Sequence, residues 1–183
     1  MASIQGMQVA LILKANWGKQ GKELIGIEVG TKAARTTKMI LEYPLVKKLY
    51  TIDSWKHFPG LDSVAGKPQE YHDEQKRIAL ETLKPFGNRV KVLHMDCDEA
   101  YKHIPEQVDF VWIDGHHTEE QVTKDINNYL PLVNKKKGVI GGHDYGSLTH
   151  TGVKKAVDRI FAGHRIFNGC SVTWWVQLGE KRG

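Results

Sequence analysis

Cysteine is scarce in this chain. Only Cys97 and Cys170 occur among 183 residues, neither in a CxxC pair, which excludes a disulfide framework and a cysteine-based zinc site. That usage fits a reduced, cytoplasmic protein. No run of about eighteen apolar residues is present, so no membrane span is expected. The opening MASIQGMQVALILK has a short apolar stretch without a basic segment before it or a clear cleavage site. It is expected to form a leading helix rather than a signal peptide. Internal repeats and low-complexity linkers are also missing, which argues for a single domain over 1–183 with 1–22 as a helical extension. A continuous basic stretch is lacking too. The net charge is +5, but the cations are scattered. The one compact run, Lys135 to Lys137, suits a solvated helix end, so charge does not call for a nucleic-acid partner.

What is present is alternation. Apolar runs of strand length fall at 24–29, 48–52, 89–94, 108–113 and 138–141. Helical periodicity falls between them, at 32–42, 69–83, 98–103, 118–133 and 153–161. The segment 54–67, rich in Gly, Pro and Asp, is expected to be a loop. The tail is expected to be two strands, 165–167 and 171–178, turned at Asn168-Gly169. This order predicts an α/β fold with three layers: a mostly parallel, Rossmann-like sheet, helices on both faces and a C-terminal antiparallel hairpin. Ligands in such sheets bind outside the carboxyl ends of the strands. Glu28, Gly30, Asp53, Asp96, Asp114, His143 and Asp144 all fall there.

The loop after the first strand reads EVGTKAARTT. A single glycine, Gly30, is present where a dinucleotide fingerprint needs three, so pyrophosphate binding is weakly supported. Glu28 would repel a phosphate and attract an ammonium. S-adenosylmethionine (SAM) carries an ammonium and a sulfonium, and no phosphate. Asp53, at the end of the second strand, suits a ribose diol, and Asp96 could accept from an adenine amino group. Thr31, Ser54, Cys97 and Asp114 adjoin these positions and complete the candidate cofactor set. Each acid alone could equally be a polar strand end; the ordered set is the informative feature.

EVGTKAARTT, YTIDSW, DFVWIDGHHTEEQVTKDI and GVIGGHDYGSLTHTGVKKAVD together resemble class I SAM-dependent methyltransferases of the small-molecule and sugar O-methyltransferase type. The likeness runs from about Gly26 to Phe161. It implies SAM as cofactor and a small acceptor, a sugar or other polyol. That family's first loop often has a second glycine where this chain has Ala34, which is expected to narrow the space over the cofactor's methionine moiety.

A second group of residues lies further along. The fourth strand delivers Asp114-Gly115-His116-His117 and the fifth delivers Gly142-His143-Asp144-Tyr145. Asp114, His143 and Asp144 could bind one divalent cation, and the resemblance implies metal ligands at these same positions. Mg²⁺ prefers oxygen ligands; the histidine admits Mn²⁺, Fe²⁺, Ni²⁺ or Zn²⁺. A cation would lower a hydroxyl's pKa and fix its oxygen. His117 is the first candidate for general base and His116 the second. Tyr145 could line the acceptor site or pack. Glu120 and Asp125 are expected to be surface helix charges. With no separate substrate domain, the acceptor site would draw on the N-terminal helix and neighbouring loops, with a second subunit completing it. The competing readings are a metal-dependent hydrolase built on His143-Asp144, which needs no adenosine pocket, and a non-catalytic RNA-binding module.

Overall fold

The computed structural model describes residues 4–59 and 64–179. Helix α1 (Ile4–Trp17) precedes β1 (Leu24–Val29), α2 (Arg35–Glu42), β2 (Val46–Asp53), α3 (Gln69–Leu83) and β3 (Val90–His94). There follow α4 (Cys97–Ala100), β4 (Phe110–Ile113), α5 (Glu119–Tyr129), β5 (Val139–Gly142), α6 (Thr151–Ile160), β6 (Ile166–Asn168) and β7 (Trp174–Gln177). The strands form one sheet in the order β3-β2-β1-β4-β5-β7-β6. Strands β1 to β5 run parallel; β7 is antiparallel to both β5 and β6. The strand order reverses between β1 and β4, which opens a crevice at their carboxyl ends.

The central strands are apolar throughout because both faces are covered. FVWI of β4 and VIGG of β5 are buried at every position. One core cluster joins α1, α2 and α3 to the sheet through residues such as Trp17, Ile40, Ala79 and Trp112. The other joins α5 and α6 through Val122, Ile126, Val153 and Val157. Thr118 caps α5, its Oγ1 accepting from the Gln121 amide at 3.2 Å, as Ser/Thr caps do. Among the described residues no helix is long and apolar enough to cross a membrane.

Several boundaries differ from expectation. Helix α2 begins at Arg35 rather than Lys32, since Lys32 and Ala34 take positive φ (47° and 57°) and cannot start a helix. The Ala34 side chain is fully buried in the core cluster beneath α1 and α2. It therefore does not narrow the cofactor space; Ala33 is the residue that lines the cleft. Pro131 ends α5 in a short 3-10 turn, Leu130–Leu132, before the expected Val133. The C-terminal hairpin does not turn at Asn168-Gly169: Asn168 still pairs with Trp174, and the Gly169 amide donates to the Thr173 carbonyl at 3.0 Å across a wider loop. Residues 54–67 are mainly loop as expected, with a 3-10 turn at Val64–Gly66; residues 60–63, and residues 1–3 of the expected extension, lie outside the described residues.

The crevice depends on Gly30. Its φ is 95°, and a Cβ placed there would lie 2.1 Å from the Asp114 carbonyl oxygen. Backbone conformation and contact both demand glycine. We predict that Gly30→Ala lowers stability by about 2 kcal/mol or more in urea unfolding; a change below about 0.5 kcal/mol would mean the β1 and β4 loops do not meet this tightly.

Candidate active site

Loops after β1, β2, β3, β4 and β5 line one cleft of about 1020 Å³. At one end stand Gly30, Thr31, Asp53, Ser54, Asp96 and Cys97; at the other, His116, His117, His143, Asp144 and His150; Asp114 lies on the same wall. The cleft thus collects every predicted site residue except Glu28.

Glu28 is a correction. It is 1% exposed and faces the interior, where its Oε2 accepts from Thr37 Oγ1 at 2.5 Å and Thr51 Oγ1 at 2.9 Å. Burial raises its pKa to about 8, against the lowering effect of the two hydroxyls. A neutral carboxyl behind the strand cannot attract a ligand ammonium. Its role is to tie β1 to β2 and α2. Thr31 extends this network, its Oγ1 lying 2.6 Å from that of Thr51.

Asp53 does face the cleft and is held from both sides. Its Oδ2 accepts from the Lys32 amide and its Oδ1 from the Trp55 amide, each at 2.8 Å. A carboxylate has about four acceptor positions, so two remain for a diol. Asp96 caps α4, accepting from the Asp98 amide at 3.0 Å, and is exposed at the cleft. Cys97 is half-buried, and burial pushes its thiol well above the ordinary range, so it packs rather than reacts.

The opposite end is a histidine–carboxylate cluster. Parallel pairing of Ile113 with Gly142 sets the Asp114 and Asp144 loops side by side. Asp144 Oδ2 lies 3.0 Å from His143 Nδ1 and 2.9 Å from His117 Nε2. Asp114 Oδ1 lies 3.9 Å and 3.8 Å from the same two nitrogens. Burial works against the charged ring of His117, but the carboxylates of Asp114 and Asp144 outweigh it and raise its pKa to about 9. Burial would also raise Asp144, yet His117 and His143 hold it well below the usual carboxylate range. The neutral imidazole expected at His117 is therefore at His116, whose pKa burial and the neighbouring His117 both lower. Tyr145 does not line the cleft: its hydroxyl donates to Asp158 Oδ1 at 2.6 Å.

Four residues in or behind the cleft are left open by the sequence, as Trp55 is between a wall of the cofactor site and an exposed position, or are misread or not singled out. Trp55 is 2% exposed and clamps the first loop, its Nε1 donating to the Lys32 carbonyl at 2.9 Å. Asp125, expected at the surface, is fully buried, with its pKa raised by burial to about 6. Gln121 Nε2 donates to Asp125 Oδ1 at 3.0 Å and Asp98 Oδ1 at 2.7 Å, bracing the Asp96–Asp98 wall from α5. The spacing of Gln121 and Asp125, four apart on one helix, was the available signal. His150, just before α6, had none beyond its place at a helix start.

Residues 24–145, well over half the chain, match the profile of a family described as a methyltransferase domain. The chain belongs to that family and, with its class I sheet order, is a SAM-dependent methyltransferase. No curated protein matches it by sequence. Solved structures with the same fold include the O-methyltransferase NovP: 18% identity, TM-score 0.70, covering 97% of this chain and 81% of that one. CalS11, a TDP-rhamnose 3'-O-methyltransferase of calicheamicin biosynthesis, has 11% identity, TM-score 0.68 and coverage of 97% and 82%. The O-methyltransferase from Bacillus cereus, solved with S-adenosylhomocysteine (SAH), has 15% identity, TM-score 0.65 and coverage of 97% and 80%.

A raised carboxyl pKa means stability that is complete below the ordinary value of 4.5 and lost as pH rises toward 8. We predict that Glu28→Gln, which stays neutral, flattens the fall in Tm between about pH 5 and pH 8 relative to the parent, with SAH affinity unchanged within about twofold. A tenfold loss of SAH affinity without unfolding would return Glu28 to the ligand.

Proposed function

We propose that this methyltransferase acts on a hydroxyl of a sugar or other small polyol, assisted by a divalent cation, Mg²⁺ or Mn²⁺, at Asp114, His143 and Asp144. The single observation that carries the reading is the shared cleft: a nucleoside-sized end and a cation-ligating end meet along one wall at Asp114. The donor set fits a cation, since one oxygen or nitrogen from each of the three residues lies within 4.8 Å of the others. The Gly30 cradle and the free acceptor positions of Asp53 fit an adenosyl ligand. CalS11, by its name, methylates a sugar.

Bound SAM supplies a methyl group activated by sulfonium, and a cation beside it makes a hydroxyl more acidic. The chain's own residues do the rest. Asp53 accepts from the ribose diol and Asp96 from the adenine amino group, with Thr31, Ser54 and Cys97 alongside. Asp114, His143 and Asp144 would hold the cation, which would supply a fixed positive charge beside the acceptor hydroxyl. His117 is engaged by the carboxylates, so His116 takes the acceptor's proton. Its Nδ1 lies 3.3 Å from Thr118 Oγ1, leaving Nε2 for that step. The described residues act as one methyltransferase domain in this account.

Two variants separate the ends of the cleft. Asp53→Ala is expected to weaken SAH binding at least tenfold, about 1.4 kcal/mol, by calorimetry. Asp144→Asn is expected to keep SAH affinity within about twofold and to abolish methyl transfer from SAM to a panel of sugar nucleotides and polyols, followed by mass spectrometry. Methyl transfer that survives both Asp144→Asn and a chelator would contradict the cation-assisted reading.

A further inference from the structure

Helix α1 is apolar on two opposite faces. On the inner one, Val9, Leu13 and Trp17 are buried in the core cluster that also holds Ile40 and Leu41 of α2. The outer one carries Ile4, Met7 and Leu11, spaced i, i+3 and i+7 along a single stripe and 59%, 52% and 59% exposed. Ala15, also exposed, continues that stripe by one more turn. The helix has one charged residue, Lys14, in its last turn. Other surface helices of this chain behave differently. α3 turns Asp73, Glu74 and Arg77 outward, and α6 turns Lys154, Lys155 and Arg159 outward. A helix that is apolar on all sides is stable where something covers it.

Charge and area indicate what covers it. A two-fold contact sets one patch against itself, so its centre must be free of like charge. The stripe meets that condition. With two copies of α1 antiparallel, Met7 faces the partner's Leu11 and Ile4 faces the partner's Ala15. The two Lys14 side chains then lie at opposite ends, where their methylenes can rest on the partner while the ammonium stays in water. A parallel arrangement would place the two lysines side by side.

Burying Ile4, Met7 and Leu11 on both chains removes on the order of 600 Å² of apolar surface from water. That is about half of the smallest stable interface, roughly 1,200 Å² in total, and suits its apolar centre. Gln8 and Lys14 flank the stripe as a polar rim. The Gln8 side also extends the patch: its Oε1 accepts from the Cys170 amide at 3.2 Å, so the loop between β6 and β7 borders α1, and Val172 on that loop is 38% exposed.

We propose that the outer stripe of α1 is the interface of a two-fold dimer of this chain, the two helices packed antiparallel about Met7 and Leu11. Gln5, on the same helix, lines the cleft, and its Oε1 accepts from Thr36 Oγ1 at 3.0 Å. The dimer therefore braces a helix that walls the cleft. The contact is independent of the cation-assisted reaction.

Sedimentation of the full chain from about 1 to 100 μM tests this, with a dimer expected over that range. Met7→Glu and Leu11→Glu are each expected to weaken association at least about tenfold. Both side chains point away from the core, so far-UV circular dichroism should not change and SAH affinity should stay within about twofold. A second measurement fixes the arrangement: Met7→Glu chains mixed with Leu11→Lys chains should form a heterodimer, since antiparallel packing sets these positions opposite each other. A parent chain that stays monomeric at about 100 μM, a dimer unmoved by both glutamate variants, or a mixture that forms no heterodimer overturns the proposal. So does a monomeric parent that sediments with phosphatidylcholine–phosphatidylglycerol vesicles, which would give the face to a lipid surface.

Discussion

The contact between Gly30 and the Asp114 carbonyl sets the geometry of everything at the top of the sheet. Parallel pairing of β1 with β4 brings two loops to the point where the strand order reverses, and only a residue without a side chain lets them close. On one side of that contact, Asp53 and Asp96 line the cleft. On the other, Asp114 faces the histidine cluster. Because Asp114 belongs to the contact itself, the two halves of the cleft are fixed relative to each other by backbone rather than by flexible side chains. Methyl transfer needs this kind of fixed separation, since the donor carbon and the acceptor oxygen must be held in line.

Electrostatics in the cleft are divided by depth. The exposed acids Asp53 and Asp96 retain acceptor capacity for a neutral or cationic ligand. Deeper, Asp144 is held ionised by His117 and His143, and beneath the strand Glu28 is held neutral by burial. Asp144 and Glu28, both near strand ends, thus differ in charge for different physical reasons. Desolvation dominates where only hydroxyls are near, and charge partners dominate where imidazoles are near. A count of acids along the strand ends could not separate these cases.

The sheet was legible because its strands are short apolar runs and its helices are amphipathic. β1 and α3 match their expected limits, α2 and α5 shift where Lys32, Ala34 and Pro131 impose local backbone conformations, and the other elements differ by a few residues at their ends. The cluster of Asp114, His143 and Asp144 was legible because neighbouring strands in a parallel sheet align their carboxyl ends. Three things were not. Glu28 looks like a ligand-facing acid in sequence, but strand alternation turns it inward. Asp125 looks like a surface charge, but its neighbour Gln121 recruits it into a buried brace. His150 arrives through the path of a loop, which no periodicity encodes. Each failure concerns the direction of a side chain rather than the existence of an element.

In the proposed reaction one cleft holds an adenosyl ligand and a cation side by side at Asp114. Paramagnetic line broadening tests it most directly: Mn²⁺ is added to the protein with SAH bound, and the proton signals of SAH are followed by NMR. The methylene protons beside the sulfur should broaden strongly and the adenine protons much less. Equal broadening at both ends of SAH, or none at either, would contradict the shared cleft.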